Sequence, residues 1–134
     1  MIWITFAQEQ KTEALNRLEK YFKNSEAKMT RERYFKMCEQ MGQEPVEDEI
    51  PPDWEDFPNI VIDAMNTFQG LGDRIYADIG YVGKDFTNLD HYIQIHQVED
   101  KELFLEILTF LESRAIKQSH EALKREREKL KRKH

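Results

Sequence analysis

Residues 100–134 constrain the fold more than any other stretch of the sequence. Leu103, Phe104, Ile107, Leu108, Leu111, Ala115 and Ile116 recur every three or four positions, the spacing that lines one face of an α-helix. The helix-forming composition continues to the end of the sequence as KREREKLKRKH (124–134), but the apolar stripe does not: past Ile116 only Ala122, Leu123 and Leu130 remain. A helix of about 34 residues is about 50 Å long. Its last third offers too few apolar residues at the right spacing to pack into the core of the same chain. The pattern predicts a terminal helix that starts near Asp100, is buried over its first half and is solvated over 117–134.

Charge divides along the same line. Residues 1–112 hold 11 Lys/Arg against 23 Asp/Glu, a net −12, whereas 113–134 hold 9 against 3, a net +6, which gives the chain its −6. Asymmetry of this kind bears on partners rather than on fold. With 134 residues the chain suits one modest core, and its 34% charged residues fit an ordered body with solvated appendages. The apolar start, Ile2, Trp3, Ile4 and Phe6, gives way at once to Gln8, Glu9 and Lys11, too short a run for a signal peptide or a membrane span. A single cysteine, Cys38, leaves no intramolecular disulfide and no multi-cysteine zinc site. The expectation is a soluble intracellular protein.

Ile2, Ile4 and Phe6 alternate like a strand, yet Thr5 with Gln8 fits a capping box, and Ala14, Leu15, Leu18, Tyr21 and Phe22 follow at helical spacing. A helix over 6–24 is predicted. Thr30 is a suitable N-cap for a second helix, with Tyr34, Met37, Cys38 and Met41 on one face and Gly42 placed to end it. Met29 offers a second translation start, which would make 1–28 an optional extension. Residues 43–58, QEPVEDEIPPDWEDFP, carry all four prolines of the chain and read as a stiff, extended connection. Pro58 suits the first turn of a third helix with an apolar stripe of Ile60, Val61, Ala64, Met65 and Phe68, stopped by Gly70 and Gly72. Residues 73–86 have no helical period; Ile75, Ala77 and Ile79 alternate as in a small irregular β-hairpin. Thr87 with Asp90 starts a short fourth helix whose Leu89, Ile93 and His96 face inward. The fold class is mainly α, with about five helices and one irregular or hairpin segment near 73–86. The expected domains are an N-terminal extension (1–28), a helical core (29–116) and a basic solvated helix (117–134).

Several chemistries are missing. GYVGKDFT (80–87) looks like a phosphate loop, but that loop needs Gly where Asp78 stands and Ser or Thr where Asp85 stands, so turn glycines are the better reading. The histidines, His91, His96, His120 and His134, have no metal-binding spacing, and His96 with Glu99 is one pair and not a site. Cys38 lies on the apolar stripe of its helix and reads as a structural thiol. The carboxylates of 47–56 are so crowded that none stands out as a tuned acid or base. No enzyme activity, cofactor or metal is expected.

Recognition remains. Glu47, Asp48, Glu49, Asp53, Glu55 and Asp56 interleave with Ile50, Trp54 and Phe57. Either Trp54 and Phe57 plug the core while the acids stay in water, or the stretch is an acidic-aromatic surface for a basic partner. At the other end Lys124, Arg125, Arg127, Lys131 and Arg132 suit a docking helix. Glu121 with Arg125 and Glu128 with Arg132 are spaced i,i+4, and Glu126 with Lys129 and Glu128 with Lys131 i,i+3, so a merely solvated helix is also consistent. A third reading pairs the basic tail with the acidic loop, within a chain or between chains. Nucleic acid ranks last, because the acidic body repels phosphate and the tail lacks stacking rings.

The runs Tyr34 to Pro45, Glu49-Ile50-Pro51, Trp54 to Pro58 and Gly80 to Asp85 resemble a group of small acidic proteins encoded by tailed bacteriophages, over roughly residues 29–133. The resemblance implies an accessory protein in the cytoplasm of the bacterial host, in the manner of virion or tail assembly chaperones. It implies no functional residue. The expected partner is a protein, a phage structural protein or a host protein, with no membrane. The alternatives are a nucleic-acid-associated protein that uses the basic helix and an acidic inhibitor of a host protein.

Overall fold

A computed structural model describes residues 6–132, and in it the chain separates into two compact units, Met1–Pro58 and Asn59–His134. The first holds α1 (Phe6–Glu26), α2 (Arg31–Met41) and an extended segment with two 3-10 turns, Glu47–Glu49 and Trp54–Asp56. The second holds α3 (Asn59–Gly70), an antiparallel hairpin of β1 (Asp73–Tyr76) and β2 (Gly80–Lys84), α4 (Leu89–Ile95) and α5 (Lys101–Arg132). The described residues are thus mainly helical, with five α-helices, one hairpin and a long C-terminal helix, as the sequence predicts.

The expected divisions at 28/29 and 116/117 do not coincide with these units. Residues 6–26 pack with 31–58: Leu18 is fully buried, and the Tyr21 ring meets Phe57 and Trp54. An amphipathic helix with that stripe gains most by burying it, so it does not stand apart as an extension. The Ile2 and Ile4 alternation and the Thr5 capping box lie outside the described residues. After α1 the chain turns through Lys28 at φ 55°. Thr30 then caps α2, its hydroxyl accepting from the Arg33 N–H at 3.1 Å. Gly42 ends the helix at φ 67°, and the chain reverses through bonds to the carbonyls of Cys38 and Glu39. The expected apolar face of α2 is narrower than its sequence pattern: Cys38 is buried, but Met37 and Met41 are exposed.

In the second unit α3 packs on α5. Val61, Ala64, Leu103, Phe104, Ile107, Leu108 and Leu111 are buried, as predicted, together with Leu71 and Thr67. The Thr67 hydroxyl is satisfied by the Asp63 carbonyl one turn back, at 2.8 Å. Pro58 stands just before α3 rather than in its first turn. Asp100 caps α5, its carboxylate accepting from the Leu103 N–H at 3.1 Å.

The hairpin forms as predicted, but the alternating apolar residues that pointed to it do not face inward. Ile75, Ala77 and Ile79 are exposed, and it is β2 that lies on α5, with Gly83 and Lys84 buried. β1 is exposed at every position, Ala77 and Ile79 lie in the turn, and the strand register shifts between Arg74 and Ile75. The cap expected from Thr87 and Asp90 also differs. The Thr87 hydroxyl and N–H both donate to the Asp85 carboxylate, at 2.5 and 2.9 Å, and α4 starts after Asn88 with no side-chain cap. Those two bonds, the hydroxyl's the stronger, hold the Asp85 carboxyl below the usual carboxylate range.

Candidate protein-interaction surfaces

Two charged surfaces were expected, and the structure builds them differently. In the first unit the acidic segment is fastened by its rings. Phe57 is buried, Trp54 is half-buried, and their centroids lie 6.1 Å apart. The edge of Tyr21 from α1 reaches Phe57 at 5.5 Å and an interplanar angle of 87°. The two rings proposed as partner anchors therefore serve as internal plugs, while Glu47, Asp48, Glu49 and Asp56 stay on the surface.

Polar groups of the two helices complete the fastening. Arg31 donates to the Asp56 carboxylate and, at 3.2 Å, to the Pro51 carbonyl. Lys20 donates to the Asp48 carbonyl. The Tyr34 hydroxyl accepts from the Val46 N–H at 3.1 Å and donates to Glu49 at 3.3 Å. The Asp53 N–H also donates to Asp56, at 3.0 Å, and this bond, ahead of the Arg31 guanidinium, pulls the Asp56 carboxyl below its ordinary range. Sequence spacing could not reveal these fasteners, because Arg31, Lys20 and Tyr34 lie 25, 28 and 15 residues from Asp56, Asp48 and Glu49. The carboxylates of Glu47, Asp48 and Glu55 have no partner among the described residues. Beside them a shallow groove of about 670 Å³ mixes charge, with Arg17, Lys20 and Arg31 facing Glu47, Asp48 and Asp56.

In the second unit the basic helix end is held at one place. Leu123 is the last half-buried residue of α5, and every residue from Lys124 to Arg132 is exposed. The hairpin turn makes the contact: at Gly80, φ 87°, a Cβ would stand 2.6 Å from Leu123 Cδ1. Arg127 reaches back to the Asp78 carbonyl at 3.5 Å. The expected pairs of Glu121 with Arg125, Glu128 with Arg132, Glu126 with Lys129 and Glu128 with Lys131 do not close to 4 Å among the described residues. Water screens such pairs and side-chain entropy opposes them, so these cations close no ion pair among the described residues. Lys124, Arg125, Arg127, Lys131 and Arg132 thus share one helical end. Lys129 belongs with them, four residues after Arg125 and three before Arg132, and helical period alone would have found it.

Elsewhere, Lys84, Glu112 and Asp73 are committed to structure. Lys84 turns inward and pairs with Asp73 at 2.7 Å, donates to the Leu71 carbonyl at 3.1 Å and sits 4.6 Å from the Phe68 ring centroid. The Lys84 N–H donates to Glu112 at 2.9 Å. Burial, and then the charges of Asp73 and Glu112, raise the Tyr81 phenol above its usual range. His96 lies 3.4 Å from Asp63. Among the described residues no three His, Cys, Asp or Glu side chains gather closely enough to hold a metal ion, and no helix is long and apolar enough to cross a membrane.

Compared with known protein families, with curated proteins and with solved structures, the chain matches none.

Proposed function

We propose that the chain is a non-enzymatic accessory protein of a tailed bacteriophage. It acts in the cytoplasm of the host by binding another protein, as an assembly chaperone for a virion or tail component does. The docking element is the basic end of α5. The observation that carries this reading is the exposure of Lys124 to Arg132, where six cations stand on one helix and close no ion pair among the described residues. A helix presented in this way can be laid against an acidic groove or helix with little ordering cost. The acidic segment is the weaker candidate, because its rings are spent on the first unit's interior and Asp56 on Arg31.

A nucleic-acid reading rests on the same six cations. It lacks rings for base stacking, since no Phe, Tyr or Trp occurs after Phe110.

The test is affinity purification of the tagged full chain from phage-infected cells. A chain reversed at the helix end (Lys124→Glu, Arg125→Glu, Arg127→Glu, Lys131→Glu, Arg132→Glu) runs beside it. A virion structural protein that resists nuclease and is held only by the unreversed chain is the expected result. Nuclease-sensitive material, or equal recovery by both chains, would sink the proposal.

A further inference from the structure

On α5 the exposed cations form two stripes. At 100° per residue, Arg125, Lys129 and Arg132 lie about 180° to 240° around the helix from Leu123. Leu123 faces the hairpin at Gly80, so this stripe points away from the only place where the helix end is held among the described residues. Lys124, Arg127 and Lys131 lie within about 100° of Leu123 and flank the hairpin side. The outward stripe is a helix face with three exposed cations that have no partner among the described residues.

The same chain carries a surface of opposite chemistry. Residues 44–56 hold seven carboxylates and no Lys or Arg. Glu49 and Asp56 are engaged by Tyr34 and Arg31, and Asp53 by the Trp54 N–H. The exposed carboxylates of Glu47, Asp48 and Glu55 have no partner among the described residues and stand on backbone made stiff by Pro45, Pro51 and Pro52 and by two 3-10 turns. Three exposed anions and three outward cations are opposite in sign, and each copy of the chain offers both.

We infer that a second copy of this chain is an occupant of the outward stripe: Arg125, Lys129 and Arg132 of one copy dock on Glu47, Asp48 and Glu55 of the other. This names a partner for the helix end and rests on its reading as a docking element. The contact is polar and exposed, so the dimer forms weakly and dissociates with salt. Raising ionic strength from about 0.1 M to about 1 M shortens the screening length from about 10 Å to about 3 Å.

Sedimentation equilibrium of the full chain, 16.1 kDa as a monomer, reads the result directly. The expected mass at low salt is twice that value, falling to one chain at high salt. Arg125→Glu/Lys129→Glu/Arg132→Glu alone, and Glu47→Lys/Asp48→Lys/Glu55→Lys alone, each run as one chain, and the two mixed together run as a heterodimer. Far-UV circular dichroism shows that both variants fold. A wild-type chain that stays monomeric at low salt overturns the inference. So does a dimer that either triple reversal leaves intact, or a mixture that fails to reassociate. Should the chain be monomeric while the helix end still retains a virion protein, the self-docking inference falls and the docking function stands.

Discussion

The acidic segment at 47–57 and the basic end of α5 at 124–132 are the two charged stretches of the molecule, and they are held by opposite means. The acidic segment has almost no regular structure, yet it is pinned by buried Phe57, half-buried Trp54, the Tyr21 ring and Arg31. The basic end is fully regular, yet nothing past Leu123 is buried. Regular secondary structure and fixation in a core are therefore separate properties here. A charge on an irregular loop can be fixed by its neighbours, and a charge on a perfect helix can be left free to bind.

The largest break in this contrast comes from the ring cluster. Phe57→Ala removes a buried ring and is expected to destabilise the first unit by about 3–5 kcal/mol, read as a lower urea midpoint in Tyr and Trp fluorescence. Next comes the hold on the helix end. Gly80→Ala places a Cβ against Leu123 at a positive φ and is expected to cost about 1–3 kcal/mol of the second unit. Hydrogen exchange should then speed up in the hairpin and around Leu123, while the Phe57 region is unaffected.

A smaller effect follows from Arg31→Ala, which loosens the acidic segment by at most about 1 kcal/mol because the pair is part-exposed. Its signature is in pH. The folded Asp56 carboxyl titrates below its unfolded value, so its contribution is present above the ordinary carboxylate range and is lost as pH falls through the depressed folded value. The variant keeps the larger cause, the Asp53 N–H, and loses the guanidinium, so an NMR titration should show Asp56 rising part of the way. The smallest effect is expected at the free end, where Lys129→Gln and Leu130→Ala leave the unfolding midpoint unmoved. A clear loss of stability in either would mean that the helix end is packed after all.

The parts of this design legible in the sequence are those written in local spacing. The Thr30 cap, the Gly42 stop, the α5 stripe from Leu103 to Leu111 and the exhaustion of apolar residues after Leu123 are all read within one or two helical turns. What was not legible depends on distant partners. Trp54 and Phe57 left two readings open until Tyr21, more than thirty residues earlier, was placed beside them. Lys84 looked like part of a turn, and its burial needs Asp73 directly opposite in the hairpin register. Ile75 stands on a strand exposed at every position and Ile79 in the turn, which periodicity does not record. The charge split was plain from the start, but only the fold separates acids already engaged from those still free.

Because Leu123 is the last residue of α5 that is even half-buried, the exposed stretch beyond it behaves as an extension of a helix already nucleated. Such an arm has a length and a phase that can change independently of the body. One residue inserted after Leu123 advances the terminal charges by about 1.5 Å and rotates them by about 100° about the axis. Arg125, Lys129 and Arg132 would swing out of alignment while the buried residues of both units kept their places. The arm can therefore be re-aimed by changes in register as readily as by changes in charge.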